Sequence, residues 1–141
     1  MKCILITTDF TDHSKHAINY VLSFVRDTSS DCKIVLLNTY KVQHSNPDQI
    51  LSENDALKEK SKIGLHEERL EALKTIDNSH ISIDTISQMG SLNNVIRQMF
   101  QKYHIDLVAM GEDDGENISK ILPVLKEQGC PILVTSLKRS S

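Results

Sequence analysis

Polar side chains and small residues follow the ends of several short apolar runs in this 141-residue sequence. Thr8 and Asp9 come at the end of the first run, Thr39 follows the second, and Met110-Gly111 closes a later one. A carboxylate in such a place can accept hydrogen bonds from a ligand, or it can cap the loop and helix that follow. Both roles stay open for Asp9. The pattern predicts a binding site assembled from the ends of strands.

Residues that would support catalysis or a metal centre are scattered rather than grouped. The sequence contains no GxSxG, Walker A, GxGxxG or HExxH motif. Asp12, His13 and His16 could chelate a metal from one helix, but no fourth ligand is evident, so we expect them on an exposed face. The sequence therefore predicts no catalytic residues, no metal site and a protein that is not an enzyme.

Composition and charge narrow the class of protein. With 39% hydrophobic and 25% charged residues, the chain is predicted to form one globular domain over residues 1–141. A net charge of −3 offers no basic surface for nucleic acid or for an anionic membrane, and neither partner is expected. Three cysteines without CxxC spacing, and the lack of a secretory or membrane-spanning stretch, predict reduced thiols in a cytoplasmic protein.

Five apolar runs alternate with four helical patterns along the chain. The runs predict strands at Cys3–Thr8, Lys33–Asn38, His80–Ile86, Ile105–Met110 and Pro131–Thr135. The intervening periodicity predicts helices over Ser14–Arg26, from Ser52, after Ser91 and up to Gly129. This alternation predicts an α/β fold, an open parallel sheet with helices on both faces. Ligands bind such sheets at the carboxyl ends of the strands.

The boundaries of two helices depend on their capping residues. The long second helix should begin at the capping-box sequence Ser52–Asp55, after a loop over Lys41–Leu51. Its inward stripe should consist of Leu57, Ile63, Leu70, Leu73 and Ile76. Pro123 lies in the last helix, which starts either with Ser119 as its cap or with Leu122, and the sequence leaves both starts open.

The chain resembles the universal stress protein family in several motifs. Ile4–Thr11, ILITTDFT, resembles the family's first strand ILVPTDFS, and Leu36–Tyr40, LLNTY, is similar to its second-strand LLHVY. Asp106–Gly111, DLVAMG, resembles DLIVMG, and Gly129–Val134, GCPILV, resembles PCPVLVV. The resemblance runs in register over residues 1–136. It implies a Rossmann-like sheet of the adenine nucleotide alpha hydrolase type, with strand order 3-2-1-4-5.

The resemblance also implies where an adenine nucleotide would bind. In ATP-binding members, the acid after the first strand and the Met-Gly pair after the fourth hold the adenosine. The end of the second strand, typically Val, meets adenine through its backbone, and a glycine loop ending in Gly-Ser or Gly-Thr holds the phosphates. The implied nucleotide-binding positions in this sequence are Thr8, Asp9, Thr39, Met110, Gly111 and Ser119.

The phosphate loop departs strongly from the family pattern GxxGx9G[ST]. Gly111 matches the first glycine, but Asp114 stands where the second belongs and Ile118 precedes Ser119 in place of glycine. The loop Glu112–Asn117 is about half the family's length and contains four acids, which would repel a triphosphate by about 1 kcal/mol per pair of charges ~5 Å apart. We expect a solvated acidic loop and no bound cofactor, with a divalent-cation site in that loop as the alternative.

Two functions follow from the resemblance and from this departure. The first is a non-enzymatic stress-response protein that acts through contacts with an unidentified protein partner. The alternative is a sensor that binds AMP, ADP or ATP through the surviving adenosine face. The implied strand order leaves the apolar, uncharged stretch Pro131–Ser136 at a sheet edge, so we expect a homodimer through the fifth strand, unless the tail Lys138–Ser141 covers that edge.

Overall fold

The fold was examined in a computed structural model that describes residues 2–41, 47–112 and 116–137. Its elements are β1 (Lys2–Thr7), α1 (Asp12–Val25), β2 (Cys32–Tyr40), α2 (Pro47–Thr75), β3 (Ile81–Met89), α3 (Leu92–Lys102), β4 (Leu107–Gly111), α4 (Glu116–Gln128) and β5 (Ile132–Thr135). The five strands are parallel and lie in the order β3-β2-β1-β4-β5. The predicted fold class and strand order are confirmed. No helix in the described ranges is long and apolar enough to cross a membrane.

Alternating side chains of the central strands build a core on each face of the sheet. Ile4 and Ile6 pack in the cluster that contains residues of α1 and α2, while Cys3 and Leu5 pack in the cluster beneath α3 and α4. All four are almost fully buried, as expected for a strand covered on both sides. Burial raises the pKa of the free Cys3 thiol, which therefore stays protonated and behaves as a small apolar side chain.

Strands β2 and β3 are longer than the apolar runs that predicted them. They pair in parallel register from Cys32 with Ile81 to Tyr40 with Met89. The predicted ends at Asn38 and Ile86 were too early because main-chain hydrogen bonds continue through polar residues that the hydrophobic pattern does not mark. The extension carries the ends of both strands to the edge of the sheet at which ligands bind in such folds.

The two outermost strands differ in the side chains that they present. Ser82 and Asp84 of β3 are exposed, and the Asp84 carboxylate lies 3.5 Å from the Lys33 ammonium group of β2. On β5, at the other edge, Val134 is 40% exposed and carries no charge. One edge of the sheet is therefore polar and charged, and the other is apolar.

Helix α2 begins at Pro47, so the prediction of a loop up to Leu51 and a start at Ser52 was wrong. Proline suits the first position of a helix because its ring fixes a helical φ and its missing N–H has no partner there in any case. An Asn-Pro pair usually favours a loop, but here Pro47 is the first residue of the helix. The remainder of the predicted loop, residues 42–46, lies outside the described residues.

The buried face of α2 is not the predicted apolar stripe. Ile63, Leu70 and Leu73 are 54%, 44% and 39% exposed, while Leu57 and Ile76 are partly buried. The helix instead buries the heptad-spaced set Ser61, Leu65, Glu68 and Ala72. The prediction failed because two members of this set are polar and find hydrogen-bond partners at the ends of the strands.

Helix α4 starts at Glu116, earlier than either of the two starts left open by the sequence. Pro123 is the eighth residue of the helix and cannot donate a hydrogen bond to the preceding turn. A carboxylate just before the helix caps its first turn, since Glu112 Oε1 accepts from the backbone N–H of Asn117 at 2.9 Å. Neither Ser119 nor Leu122 is therefore needed as a cap.

Candidate functional site

A cavity of about 540 Å³ opens at the carboxyl ends of β1, β2 and β4. It brings together five of the six nucleotide-binding positions that the family resemblance implies: Thr8, Asp9, Thr39, Met110 and Gly111. The sixth, Ser119, is exposed on α4 and does not line the cavity. The structure thus brings the five other implied positions to one cavity and leaves Ser119, the implied phosphate residue, outside it.

The cavity also contains residues that the sequence did not single out as site residues. Those with polar side chains or turn geometry are Ser14, Asn38, Lys41, Gly90, Ser91, Asn93, Asn117 and Lys120. Gly90 has φ +136°, so the turn from β3 into α3 uses a backbone conformation that glycine adopts readily. Lys41 and Asn93 could not be identified from the sequence, because whether they reach the cavity depends on the lengths of β2 and β3.

Asp9 holds the turn between β1 and α1 in place. Its Oδ1 atom accepts hydrogen bonds from Ser14 Oγ at 2.7 Å, from Thr11 Oγ1 at 2.5 Å and from the Thr11 N–H at 3.1 Å. Burial raises the pKa of this carboxyl group, but the hydrogen bonds lower it by more, so the pKa lies below its ordinary value. Asp9 therefore fills the loop part of the capping role left open by the sequence, through one oxygen, whereas the N-cap of α1 is Thr11, whose Oγ1 accepts from the Ser14 N–H at 3.4 Å.

The residue after Asp9 is strained and tightly packed. Phe10 has φ +68°, a left-handed conformation that is unusual for an aromatic residue. Its ring lies against Gly64 of α2, where an added Cβ atom would come within 2.6–2.8 Å of the ring carbons. The absence of a side chain at Gly64 therefore leaves room for the Phe10 ring, and this contact packs the β1–α1 turn against α2.

Gly111 ends β4 where the first turn of α1 comes closest. A Cβ atom at this position would lie 1.9 Å from the backbone oxygen of His13 and 2.3 Å from its carbonyl carbon. Real Cβ atoms do not approach a backbone so closely, so only glycine fits. Gly111 thus has a structural role in the cavity wall, in addition to the ligand contact that the resemblance implies.

Buried polar side chains connect the cavity floor to α2. Asn38 Nδ2 donates to the carbonyl oxygen of Thr8 at 2.8 Å, and Ser61 Oγ donates to Asn38 Oδ1 at 2.6 Å. Ser87 Oγ in turn donates to Ser61 Oγ at 2.7 Å. These contacts could not be predicted from the sequence, since serine within a helical pattern usually faces solvent.

A carboxyl group is buried beside this network. Thr8 Oγ1 donates to Oε2 of Glu68 at 3.0 Å, and the Glu68 side chain is almost fully buried. Burial raises the pKa of Glu68, the Thr8 hydrogen bond and Lys15 lower it, and Asp9 and Glu71 raise it, with a net shift above the ordinary value. Glu68 is therefore harder to ionise than an exposed glutamate.

Glu112 is not the solvated loop acid that the sequence predicted. It is only 8% exposed, and its Oε1 caps α4 through Asn117. Its backbone N–H also donates to the carbonyl oxygen of Thr135 at 3.1 Å, which holds the residue at the end of β4. A buried, capping carboxylate thus lies between the end of β4 and the first turn of α4, while Asp113 and Asp114 lie outside the described residues.

The chemistry available in the cavity is that of recognition. Carboxylate, hydroxyl and amide groups and the side chains of Lys41 and Lys120 line it beside Met110 and Leu37. A flat apolar ring with polar edges matches this surface. Within residues 2–41, 47–112 and 116–137, no cluster of three or more His, Cys, Asp or Glu residues could hold a metal ion. The set of Asp12, His13 and His16, which the sequence raised as a chelating group, is accordingly not such a cluster.

Comparison with known proteins identifies similar sequences and folds. The family model for the universal stress protein family matches residues 1–135. No curated protein matches the chain.

Solved structures share the fold at low sequence identity. A universal stress protein UspA from Lactobacillus plantarum is 18% identical, with a TM-score of 0.72 and coverage of 94% of this chain and 96% of that one. A universal stress protein family protein from Arabidopsis thaliana with AMP bound is 17% identical, with a TM-score of 0.69 and coverage of 98% and 93%. A universal stress protein in complex with cAMP is 13% identical, with a TM-score of 0.59 and coverage of 99% and 98%.

Proposed function

The chain belongs to the universal stress protein family, and from that premise we propose that it is a cytoplasmic, non-enzymatic stress-response protein that acts through protein contacts without an ATP switch. The observation that carries this proposal is the Glu112 carboxylate at the N-terminus of α4. In the family, the loop between the fourth strand and the last helix holds the nucleotide phosphates. Here a side chain of the protein supplies the negative charge at that helix end.

A helix N-terminus stabilises one anion by about 0.3–1 kcal/mol, and the bond from Asn117 to Glu112 already uses it. A triphosphate would have to displace the buried carboxylate or bind next to it. Displacement would remove the α4 cap, and binding beside it would bring like charges together at about 1 kcal/mol per pair at ~5 Å. Both routes disfavour ATP, which supports a function without triphosphate binding.

We predict that Mg–ATP binds with a dissociation constant above about 1 mM, corresponding to less than about 4 kcal/mol of binding free energy. Titration calorimetry with millimolar Mg–ATP should show little heat. Glu112→Gln, which keeps an acceptor for Asn117 but removes the charge, should strengthen binding about fivefold, in line with the removal of one repulsive pair. Glu127→Gln, at the exposed far end of α4, is the matched control and should change nothing. A micromolar dissociation constant for the unaltered protein would contradict the proposal.

We propose a second function for the same cavity, the binding of an adenine nucleotide with few phosphates. One observation favours it: five of the implied adenosine positions line one cavity of about 540 Å³, which is large enough for a ligand of that size. The structural neighbours with bound AMP and cAMP support the same ligand class. Such a ligand would lie against these five residues, in a cavity whose lining also contains Lys41 and Lys120.

We predict that Asp9→Ala weakens AMP or adenosine binding about tenfold, or about 1.4 kcal/mol, the value of one hydrogen bond to a charged group. Asp9→Asn keeps an oxygen for the bonds from Thr11 and Ser14 and separates loss of the charge from loss of the turn. Ser119→Ala, outside the cavity, is the control and should bind like the parent. Equal affinity of the parent and both Asp9 variants, with intact circular dichroism, would exclude Asp9 as a ligand contact.

We also propose that the chain forms a homodimer by pairing of β5 with its two-fold copy. The support is the apolar edge: Val134 and Leu137 are each 40% exposed, and an uncovered apolar edge strand invites pairing. The alternative cover of this edge, residues 138–141, lies outside the described residues.

The proposed cytoplasmic location is supported by the cysteines. All three are free and two of them are buried, which agrees with a reducing compartment.

We predict a mass of about twice 15.9 kDa for the parent protein in light scattering after size exclusion at micromolar concentration. Val134→Lys should give a monomer, because it places like charges close together near the two-fold axis. Met89→Lys, at an exposed apolar residue on the opposite edge of the sheet, is the control and should leave the dimer intact. A monomeric parent at all concentrations would refute β5 pairing.

A further inference from the structure

Glu68 belongs to α2 and does not line the cavity, yet it is bonded to the cavity wall. Its Oε2 accepts from Thr8 Oγ1 at 3.0 Å. Its other oxygen, Oε1, is buried and has no hydrogen-bond partner among the described residues. Glu68 is only 6% exposed, so the Thr8 hydroxyl, rather than water, is the hydrogen-bond donor that stabilises its carboxyl group. Burial with so few partners disfavours the ionised form, so this carboxyl group holds its proton more readily than an exposed glutamate does.

Thr8 links Glu68 to the turn that carries Asp9. While its hydroxyl donates to Glu68, the same oxygen accepts from the Phe10 N–H at 3.1 Å. Phe10 is the left-handed residue of that turn, and its neighbour Asp9 lines the cavity. A change in the Thr8–Glu68 bond therefore acts on a strained turn two residues away.

Charged groups from three parts of the chain surround Glu68. They are Lys15 from α1, Asp9 from the β1–α1 turn, and Glu67, Glu71 and Lys74 from α2. The pKa of Asp9 lies below its ordinary value, so Asp9 stays ionised where Glu68 titrates, above the ordinary glutamate value. Glu68 is thus the carboxyl group in this set whose titration reaches the β1–α1 turn directly.

We propose that Glu68 is a positioning residue for the cavity, and that its proton, acting through the Thr8 hydroxyl, controls the β1–α1 turn and thereby the affinity of the cavity for its ligand. The part that concerns the ligand rests on the proposed binding of an adenine nucleotide. The part that concerns the turn does not, because the bonds from Glu68 to Thr8 and from Phe10 to Thr8 are present without a ligand.

The direction of the effect follows from the strength of the bond to Thr8. A hydroxyl binds an ionised carboxylate about twice as strongly as a neutral acid. Ionised Glu68 therefore fixes the Thr8 hydroxyl, and with it the acceptor for Phe10, whereas protonated Glu68 releases it. Ligand affinity should fall as pH falls through the pKa of Glu68. By reciprocity, bound ligand should favour the ionised form.

The turn is tested without ligand by following the backbone amide of Phe10 in two-dimensional ¹H–¹⁵N NMR from about pH 4 to pH 8. We expect this amide to titrate with a midpoint above the ordinary glutamate value, and we expect the titration to vanish in Glu68→Gln. Thr8→Val, which keeps Glu68 and removes the hydroxyl, should abolish it as well and serves if Glu68→Gln does not fold. Glu71→Gln, one turn further along α2, should leave it in place. A Phe10 amide that does not titrate, or that titrates in Glu68→Gln, would overturn the proposal.

The ligand is tested with AMP by calorimetry over the same pH range. The AMP phosphate itself ionises near pH 6 and affects both proteins alike, so the difference between them is measured. On acidification we expect the affinity of the parent to fall about fivefold or more relative to that of Glu68→Gln, the lower limit of ordinary coupling between sites. A pH effect that arises from any other group would persist in Glu68→Gln and is removed by the comparison. Equal pH dependence in the two proteins would overturn the coupling to the ligand. Absence of AMP binding at every pH would instead refute the proposed nucleotide function, while the Phe10 amide still decides the coupling to the turn.

Discussion

Replacing Gly111 with alanine should lower the free energy of unfolding by more than about 4 kcal/mol, an exceptional loss for one methyl group. The added Cβ atom would lie 1.9 Å from the backbone oxygen of His13. No side-chain rotation relieves this overlap, because the backbone of residue 111 fixes the position of its Cβ atom and the clashing atom of His13 belongs to the backbone. Strand β4 and the first turn of α1 would have to move apart, although β4 is paired with β1 at the centre of the sheet. Since whole domains are stable by only about 5–15 kcal/mol, the variant should be largely unfolded or should accumulate poorly.

Urea denaturation followed by circular dichroism measures this loss. Gly129→Ala is the matched control: Gly129 has φ +63°, but no atom lies within 4 Å of the added Cβ atom. It should lose about 1–2 kcal/mol from backbone strain alone. A Gly111→Ala protein within about 1 kcal/mol of the parent, the loss of an ordinary substitution, would show that the close approach is relieved cheaply. It would leave Gly111 only the ligand contact that the family resemblance implies.

The stability of the parent protein relative to Glu68→Gln should fall as the pH rises. The pKa of Glu68 is raised in the folded state, chiefly by burial, so the folded state holds this proton more tightly than the unfolded chain does. The resulting stabilisation is fully present below the ordinary glutamate pKa and is lost as the pH rises through the raised value. The change should amount to about 1.4 kcal/mol for each unit by which the pKa is raised.

Thermal or urea unfolding of both proteins on either side of that window measures the difference. The amide group that Glu68→Gln introduces has donors that lack partners, which adds a penalty that does not depend on pH and leaves the trend intact. Glu71→Gln on the same helix is exposed and should show a much smaller trend. A parent protein that gains stability over Glu68→Gln as the pH rises would mean that the Thr8 bond and Lys15 outweigh burial.

Apolar periodicity predicted the strands and the order of elements because the central strands are covered on both faces. The run Ile4–Ile6 is continuous for that reason, and its burial is complete. Periodicity failed on α2, where Ser61 and Glu68 face inward while Ile63 and Leu70 face solvent. A single sequence gives no sign that a serine or a glutamate will meet a hydroxyl or an amide from a strand 23 or 60 residues away.

The candidate site was predictable where it depends on strand ends and unpredictable where it depends on tertiary contacts. Asp9, Thr39 and Gly111 could be placed because a parallel sheet brings its carboxyl ends together. Glu112 was assigned to a solvated loop because it begins a run of acids, whereas its hydrogen bond to the N-terminus of α4 keeps it buried. The start of α4 was misjudged for the same reason, since this cap is a side chain outside the helix.

The contrast between the two sheet edges limits how far copies of this chain could grow by strand addition. If two β5 strands pair, the continuous ten-stranded sheet that results has β3 at both ends. Each end then presents Ser82 and Asp84, and charged side chains on an edge oppose docking of a further strand. Assembly would therefore terminate at two chains rather than propagate into a fibril. A substitution that neutralises Asp84 would remove the charge that opposes further strand addition, and it would leave the β5 contact of the dimer unchanged.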